Sequence, residues 1–527
     1  MKTKKLILII MCLLALSSLS YAQDSLECIL QIDYTFTLSA KIIAGGDINA
    51  DGYDEIIISR HACNGYGPVY IYLGSSQPDT IPDYLIYAEE TNSYFGYSVS
   101  IAGDLNGDGY DDVVIGAPRY GDHVLGGRVY IYFGGEDFDT DPDLILTGYE
   151  YALDPFDLWF GTVVNTEGDF NDDGYNDLIV TSIGPSFFWN GQIDIFFGGE
   201  NMDTELDVHI QGEISGDYGY SVSTGDINGD GYDDLVAGNG EFPVMERVRI
   251  FLGGENMNPF PDATIINEPS LYFGSGLAMN GDINNDGYDD LMVSQQYPDQ
   301  VNIYLGNQDL ILNLDYIIEY PSSVNIRHVI NLFYSNINND SYSDPVVAVE
   351  WYELFDYRGV AYIYYGNTVF DTIPEFTLIG EQEDDYFGGA GYDAGDVNND
   401  GKDDILLGTK YSESNYANIY TLAGDSTGID NNLQQQDKFM LNNYPNPFTI
   451  STTISFNLKE ESHVNLSIYN IKGELITTLF DEEMNAGNDY KIIWNGRSGD
   501  KELANGIYFY KLSTNDKSFI KKMILLR

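Results

Sequence analysis

The chain is short of basic side chains and of cysteine, and beyond its first twenty or so residues it has no long apolar run. Only 24 Lys and Arg stand against 83 Asp and Glu in 527 residues, a formal net charge of −59. So acidic a surface is repelled over a Debye length by nucleic acid and by anionic membranes, so neither is expected as a partner. A divalent cation is the natural alternative. No segment after the N-terminal one approaches the 18 or so apolar residues of a membrane-spanning helix, and helical periodicity of useful length is missing throughout. What is present excludes a disordered acidic tail: 43% of the residues are hydrophobic and 14% aromatic, enough apolar surface to offset the ordering of the backbone.

The charge is unevenly placed. Residues 1–22 carry Lys2, Lys4 and Lys5 and no acid, residues 437–527 hold 11 basic and 11 acidic residues, and the stretch between them holds 10 and 72. Residues 1–22 also show an apolar run from Leu6 to about Leu19 and the small residues Ser20 and Ala22, the pattern of a secretory signal peptide cleaved after Ala22. The mature chain is therefore expected to be exported, with no transmembrane segment. Cys12 leaves with the signal, and Cys28 and Cys63 either form one disulfide or remain as two thiols.

One nine-residue motif recurs seven times: DINADGYDE from Asp47, DLNGDGYDD from Asp104, DFNDDGYND from Asp169, DINGDGYDD from Asp226, DINNDGYDD from Asp282, NINNDSYSD from Asn336 and DVNNDGKDD from Asp396. The starts are 54 to 65 residues apart, so one unit has been repeated. Each copy is followed by a short apolar run, such as Val113-Val114-Ile115-Gly116, and then by a second run closed by glycine, such as Val129 to Gly134. Four short strands per unit with glycine turns predict the blade of a β-propeller, seven of them between residues 23 and 424. After Gly424 the chain passes into a polar linker, 425–437, whereas the segment Leu26 to Ile32 precedes the first unit without a place in it. Pairing that segment onto the last blade would close the ring and cover an exposed edge.

The repeated loop places oxygens at alternate residues, which suits calcium, a hard cation that takes six to eight oxygen ligands. The expected ligands are Asp47, Asn49, Asp51, the Tyr53 carbonyl and Glu55 in the first loop, and Asp104, Asn106, Asp108, Tyr110 and Asp112 in the second. They are Asp169, Asn171, Asp173, Tyr175 and Asp177 in the third, Asp226, Asn228, Asp230, Tyr232 and Asp234 in the fourth, and Asp282, Asn284, Asp286, Tyr288 and Asp290 in the fifth. In the seventh they are Asp396, Asn398, Asp400, Lys402 and Asp404, and Lys402 fits because its position gives only a backbone oxygen. The sixth loop has Asn336, Ser341 and Ser343 where the others have an acid, a glycine and mostly an acid, so about six Ca2+ sites are expected. With an apolar residue rather than an acid at position 12, as Ile115 shows, an EF-hand is not expected.

The pair Phe95-Gly96 followed by Gly116-Ala117-Pro118, with Phe160-Gly161, Phe273-Gly274 and Phe387-Gly388, resembles the FG-GAP repeats that build the seven-bladed propeller of integrin α subunits. Units one and six lack the pair. With no membrane span or further receptor domain after the propeller, an integrin receptor as such is not expected.

From residue 438 to 527 apolar residues alternate, as in Ile454, Phe456, Leu458 and Val464, Leu466, Ile468, which predicts a small antiparallel β-sandwich. The run Asn443-Tyr444-Pro445-Asn446-Pro447-Phe448, then Ile468-Tyr469-Asn470, Trp494-Asn495-Gly496, Gly506-Ile507-Tyr508 and Lys521-Lys522-Met523, resembles the type A sorting domain of the type IX secretion system. That resemblance implies the secretion machinery as a partner and a secreted or cell-surface location.

No catalytic residue is assigned. The paired acids lie inside the loops, and His61, His123, His209, His328 and His463 show no metal-ligand spacing and no nucleophile motif beside them. The expected function is adhesion, or binding of an extracellular protein or glycan, on the face opposite the calcium loops. There Arg119, Tyr120, Trp189, Trp351 and Arg358 are the candidate contacts, together with neighbours such as Arg60, Tyr66 and Phe188. The same aromatics could instead pack between blades. A carbohydrate-processing enzyme and a matrix protein without a specific ligand are the competing readings.

Overall fold

The structure is a computed structural model of the chain. It describes residues 26–525 except 35–39, 61–67, 102, 122–125, 149–158, 184–190, 213–217, 240–246, 267–271, 297, 321–329, 351–357, 381–385, 410–414, 423–440, 445–447, 449–450, 459–461, 471–474, 486, 500, 505 and 515–517. The signal-peptide residues and Cys63, Trp189 and Trp351 lie outside the described residues.

Short β-branched and aromatic runs broken by Asp-Gly turns make strands that pair with their sequence neighbours. In the second repeat these are Ser98–Ser100, Val113–Ala117, Arg128–Tyr132 and Leu144–Thr147, joined in that order as an antiparallel sheet. Seven such four-stranded sheets occur among the described residues of Met1–Asp425, one compact unit of the chain. The second strand of the blade is apolar on both faces and wholly buried: Val113, Val114, Ile115 and Ala117 are 0% exposed.

The apolar cores lie in the seams between blades. Ile57, Val69 and Ile71 of the first blade pack with Phe95, Val99, Ile115 and Tyr130 of the second. Equivalent clusters join each following pair and finally join blade seven to blade one through Ala394, Leu406, Ile56 and Ile58. The aromatic of the Phe-Gly pair is the plug of the seam. Phe95, Phe160, Tyr218, Phe273 and Phe387 are at most 4% exposed, so unit four uses tyrosine for the same task. Innermost strands of blades two to seven, with Gly45, Gly46 and Asp54 of blade one, line a cavity of about 410 Å3, which the Tyr392 hydroxyl of blade seven crosses to donate to the Glu167 carboxylate of blade three.

Ring closure follows the sequence expectation. Leu26–Tyr34 is the outermost strand of the seventh sheet, pairing antiparallel with Asn415–Leu422 from Leu26 opposite Leu422 to Tyr34 opposite Asn415.

The second unit, Ser426–Arg527, holds a three-stranded sheet (Leu441–Tyr444, Thr452–Leu458, Gly487–Trp494) and a four-stranded one (Ser462–Asn470, Leu475–Met484, Gly506–Ser513, Ser518–Leu525). Both sheets feed one core, in which Phe448, Trp494 and Tyr508 meet edge to face around Ile454, Leu466 and Leu525. The alternation of Ile454, Phe456 and Leu458 is the inward face of the first sheet.

Candidate metal loops

Each nine-residue motif joins the first and second strands of a blade, so all seven loops lie on one face of the ring. Their shape is set by side chains folding onto the loop's own backbone. In the second loop the Asp104 carboxylate accepts N–H bonds from Asp108 (3.1 Å) and Gly109 (2.8 Å), Asn106 Oδ1 accepts from Asp108 N (2.8 Å), and Asp108 Oδ1 from Tyr110 N (3.1 Å). The fourth residue is left-handed in every loop, and the sixth is a left-handed glycine in six of them, φ +85° to +92°. Ser341 of loop six does not take that conformation, and Asn336 turns its amide onto the Asp340 carbonyl.

The ninth residue is the buried base of the loop. Both Asp112 oxygens accept backbone N–H bonds, from Leu105 (2.8 Å) and from Gly134 (2.9 Å), and Asp177, Asp234 and Asp290 repeat this with Gly198, Gly253 and Gly306. This explains the glycine that closes the third strand of blades one to six. A Cβ on Gly198 would stand 2.2 Å from the Asn176 carbonyl oxygen and 2.8 Å from that of Leu105, while one on Gly199 would meet nothing within 4 Å. Gly198→Ala is therefore expected to cost about 3 kcal/mol and Gly199→Ala under about 1 kcal/mol, compared by chemical denaturation. Equal midpoints would contradict this account.

Burial holds the ninth carboxyls far above the usual range, with neighbouring loop acids adding repulsion. Asp112, Asp177, Asp234 and Asp290 are pushed up to about 8, Glu55 to about 9, and Asp344 and Asp404 to about 7. Unpaired negative charge is thus unfavourable at the base of these loops, and a cation relieves it.

The donor set fits a hard cation. In loop one, oxygens of Asp47, Asp51 and Glu55 lie within 4.8 Å of one another, the one such cluster of three acidic side chains among the described residues. The longer Glu55 reaches the loop acids while keeping both its backbone bonds, to Ile48 N (2.7 Å) and Gly74 N (3.3 Å). In loop five, Asn284 Oδ1 is buried with no hydrogen-bond partner, an orphaned acceptor at a ligand position. Loop seven departs locally: Asn398 turns its amide nitrogen onto the Asp404 carboxylate (3.0 and 3.2 Å), and the Lys402 ammonium bonds the Leu422 carbonyl.

Sequence reasoning missed the eighth residue. Its side chain leaves its own loop and accepts the N–H of the first residue in the preceding loop: Asp111 from Asp47 (2.8 Å), Asn176 from Asp104 (3.2 Å), Asp233 from Asp169 (2.8 Å), Asp289 from Asp226 (2.8 Å), Ser343 from Asp282 (3.2 Å), Asp403 from Asn336 (2.9 Å) and Asp54 from Asp396 (2.6 Å). In each case its own N–H returns a bond to the carbonyl of that same first residue. The doublet Asp-Asp or Asn-Asp at the end of the motif carried the signal, but only the topology shows that its two members face different blades. Also missed was the acid before the fourth strand of blades one to five: Asp83, Asp143, Asp207, Asp262 and Asp315 each accept a backbone N–H from the end of the third strand. These account for part of the acidic excess outside the loops.

On the opposite face Arg119 and Tyr120, neighbours in the chain, each take part in a cation–ring contact, and the two contacts make a small cluster in blade two. Arg119 donates to the Tyr94 hydroxyl (2.8 Å) and lies 4.7 Å from the Tyr94 ring centre and 5.6 Å from that of Trp159. Arg128 stacks 3.7 Å over Tyr120 and pairs with Glu89 at 2.9 Å. Arg358 lies apart from that cluster, in blade six, where its carbonyl accepts the Phe387 N–H of blade seven.

Comparison with known proteins fits this architecture. Residues 95–132 and 218–249 match the FG-GAP repeat model, and residues 442–526 match that of the secretion system C-terminal sorting domain. The chain is 35% identical over 217 residues to integrin alpha-5 of Xenopus laevis, covering 37% of this chain and 19% of that one. It is 35% identical over 184 residues to integrin alpha-7 of Rattus norvegicus and 33% over 184 to integrin alpha-PS3 of Drosophila melanogaster, each 33% of this chain and 15% and 16% of theirs. It thus spans less than a fifth of the length of those relatives. Among the described residues no helix is long and apolar enough to cross a membrane. The chain thus carries FG-GAP repeats within a β-propeller similar to part of integrin α, and a type IX secretion sorting domain that marks it as a secreted or outer-surface protein.

Proposed function

We propose that the propeller is a calcium-stabilised adhesion module, which binds an extracellular protein or glycan with the face opposite its metal loops. The repeated loop is the observation that carries the reading: side-chain oxygens at positions one, three, five and nine and a carbonyl at seven, over a buried carboxyl that disfavours its own charge, suit a hard dication. The ligands proposed are those of loops one to five and seven. Loop six, with no acid at its first position and no left-handed glycine, is left out. The sorting domain would deliver the module to the type IX machinery, and the similarity to integrin α subunits supports adhesion.

Arg119 and Arg128 of the opposite face are committed to aromatic and acidic neighbours rather than held out to solvent, so a ligand would meet a preformed aromatic platform there. Such a platform favours ring stacking with a sugar or an aromatic side chain.

Metal analysis after exhaustive dialysis is expected to find about six calcium ions per chain; one or none would end the reading. A glycan array and a cell-binding assay, each with and without chelator, should then show calcium-dependent capture. Turnover of a polysaccharide would favour the enzyme instead, and no binding at all a matrix role.

A further inference from the structure

We infer that the metal loops are coupled around the ring, so that ordering one loop by its cation strengthens cation binding at its neighbours. This rests on the calcium reading above and concerns the eighth residue, which supplies no metal ligand.

Each seam carries the same reciprocal pair of bonds. The Asp111 carboxylate holds the N–H of Asp47 while the Asp111 N–H bonds the Asp47 carbonyl at 3.1 Å. Asp47 is the first ligand of loop one, and Asp111 is bonded along the chain to Asp112, the last ligand of loop two. Fixing either loop therefore fixes the other's backbone at a ligand position. Side chains reinforce the seam at other places: a Cβ on Gly107, the fourth residue of loop two, would lie 2.2 Å from the ring of Tyr175, the seventh residue of loop three. The latches form a closed circuit, so no loop is terminal and each shares the ordering cost of two others. The latches at blades two and three and at blades five and six are the weaker ones, because the Asn176 amide oxygen and the Ser343 hydroxyl, each at 3.2 Å, replace a carboxylate.

The test uses the full chain with Asp111→Ala and Asp111→Asn, neither of which replaces a proposed ligand. Calcium isotherms by equilibrium dialysis are combined with hydrogen exchange at a fixed, near-saturating calcium concentration. For Asp111→Ala we expect at least one site to weaken about tenfold, and faster exchange in residues 47–55, whose own ligands are intact, with residues 226–234 unchanged. Asp111→Asn should bind within about twofold of the parent, because Asn176 fills this place in blade three. If Asp111→Ala does not fold, Ser343→Ala gives the same readout on residues 282–290. An Asp111→Ala isotherm that superimposes on the parent's while calcium is bound, with the same exchange in residues 47–55, overturns the coupling alone. Absence of bound calcium in the parent overturns the metal reading and the coupling with it.

Discussion

Replacing Ile32 by aspartate is expected to open the ring, lowering the melting temperature by about 5–10 °C and turning soluble monomer into aggregate. Among the described residues the strand Leu26–Tyr34 is the one blade strand donated from far away in sequence, and blade seven has no other fourth strand there. Leu30 and Ile32 are 9% and 2% exposed and pack with Ile58, Leu406, Ala417 and Ile419 across the seam of blades seven and one. Burying two such side chains contributes roughly 3–6 kcal/mol, a large part of a typical stability of about 5–15 kcal/mol. Stripping the strand away also leaves Asn415–Leu422 as a bare edge, a template for pairing with another copy. Gln31→Lys is the control, because Gln31 faces solvent on the same strand. Thermal melts with light scattering decide the matter. A chain with Ile32→Asp that melts like the parent would mean that closure lies elsewhere.

That strand was legible in the sequence for a physical reason. Six units have a strand-like segment after their closing glycine and the seventh does not, so a ring with one vacancy and one unclaimed N-terminal strand has a single economical pairing. The loops were legible too, because the turn they make needs fixed residue types at fixed spacing. The seam contacts were not. Asp111 and Asp112 are adjacent and chemically identical, yet one serves blade one and the other the base of its own loop, and this difference exists only once neighbouring blades are side by side. The closing glycines were visible as punctuation, but the reason for them is a carbonyl of the same loop and another of the preceding blade, neither of which is a local property of the strand. Arg119 reads from the sequence as a ligand contact on a binding face, whereas the structure sets it against the rings of Tyr94 and Trp159. Composition could not show that commitment.

Without metal, the propeller is expected to lose stability steadily as pH rises from about 5 to 9, and calcium is expected to cancel that loss. Ordinary unfolded aspartate titrates near 4, while in the folded, metal-free protein burial holds Asp112, Asp177, Asp234 and Asp290 at about 8 and Glu55 at about 9. The folded state therefore binds protons that the unfolded state releases across this window. Its advantage is complete below about pH 4 and is lost as pH climbs through the folded values, beyond which these groups add no further slope. If each of those four aspartates expressed even one unit of its shift, the loss would be roughly 5 kcal/mol, comparable with the whole stability of many domains. Calcium reverses the sign, because it binds the ionised form: its affinity should rise with pH over the same window, with protons released on binding. Melting curves in EDTA and in millimolar calcium should therefore nearly coincide near pH 5 and diverge progressively to pH 9. Asp177→Asn would remove one titrating group and flatten the EDTA curve while also weakening loop three for metal. Two parallel curves, separated by the same interval at every pH, would show that the ninth carboxyls do not link protons, metal and fold.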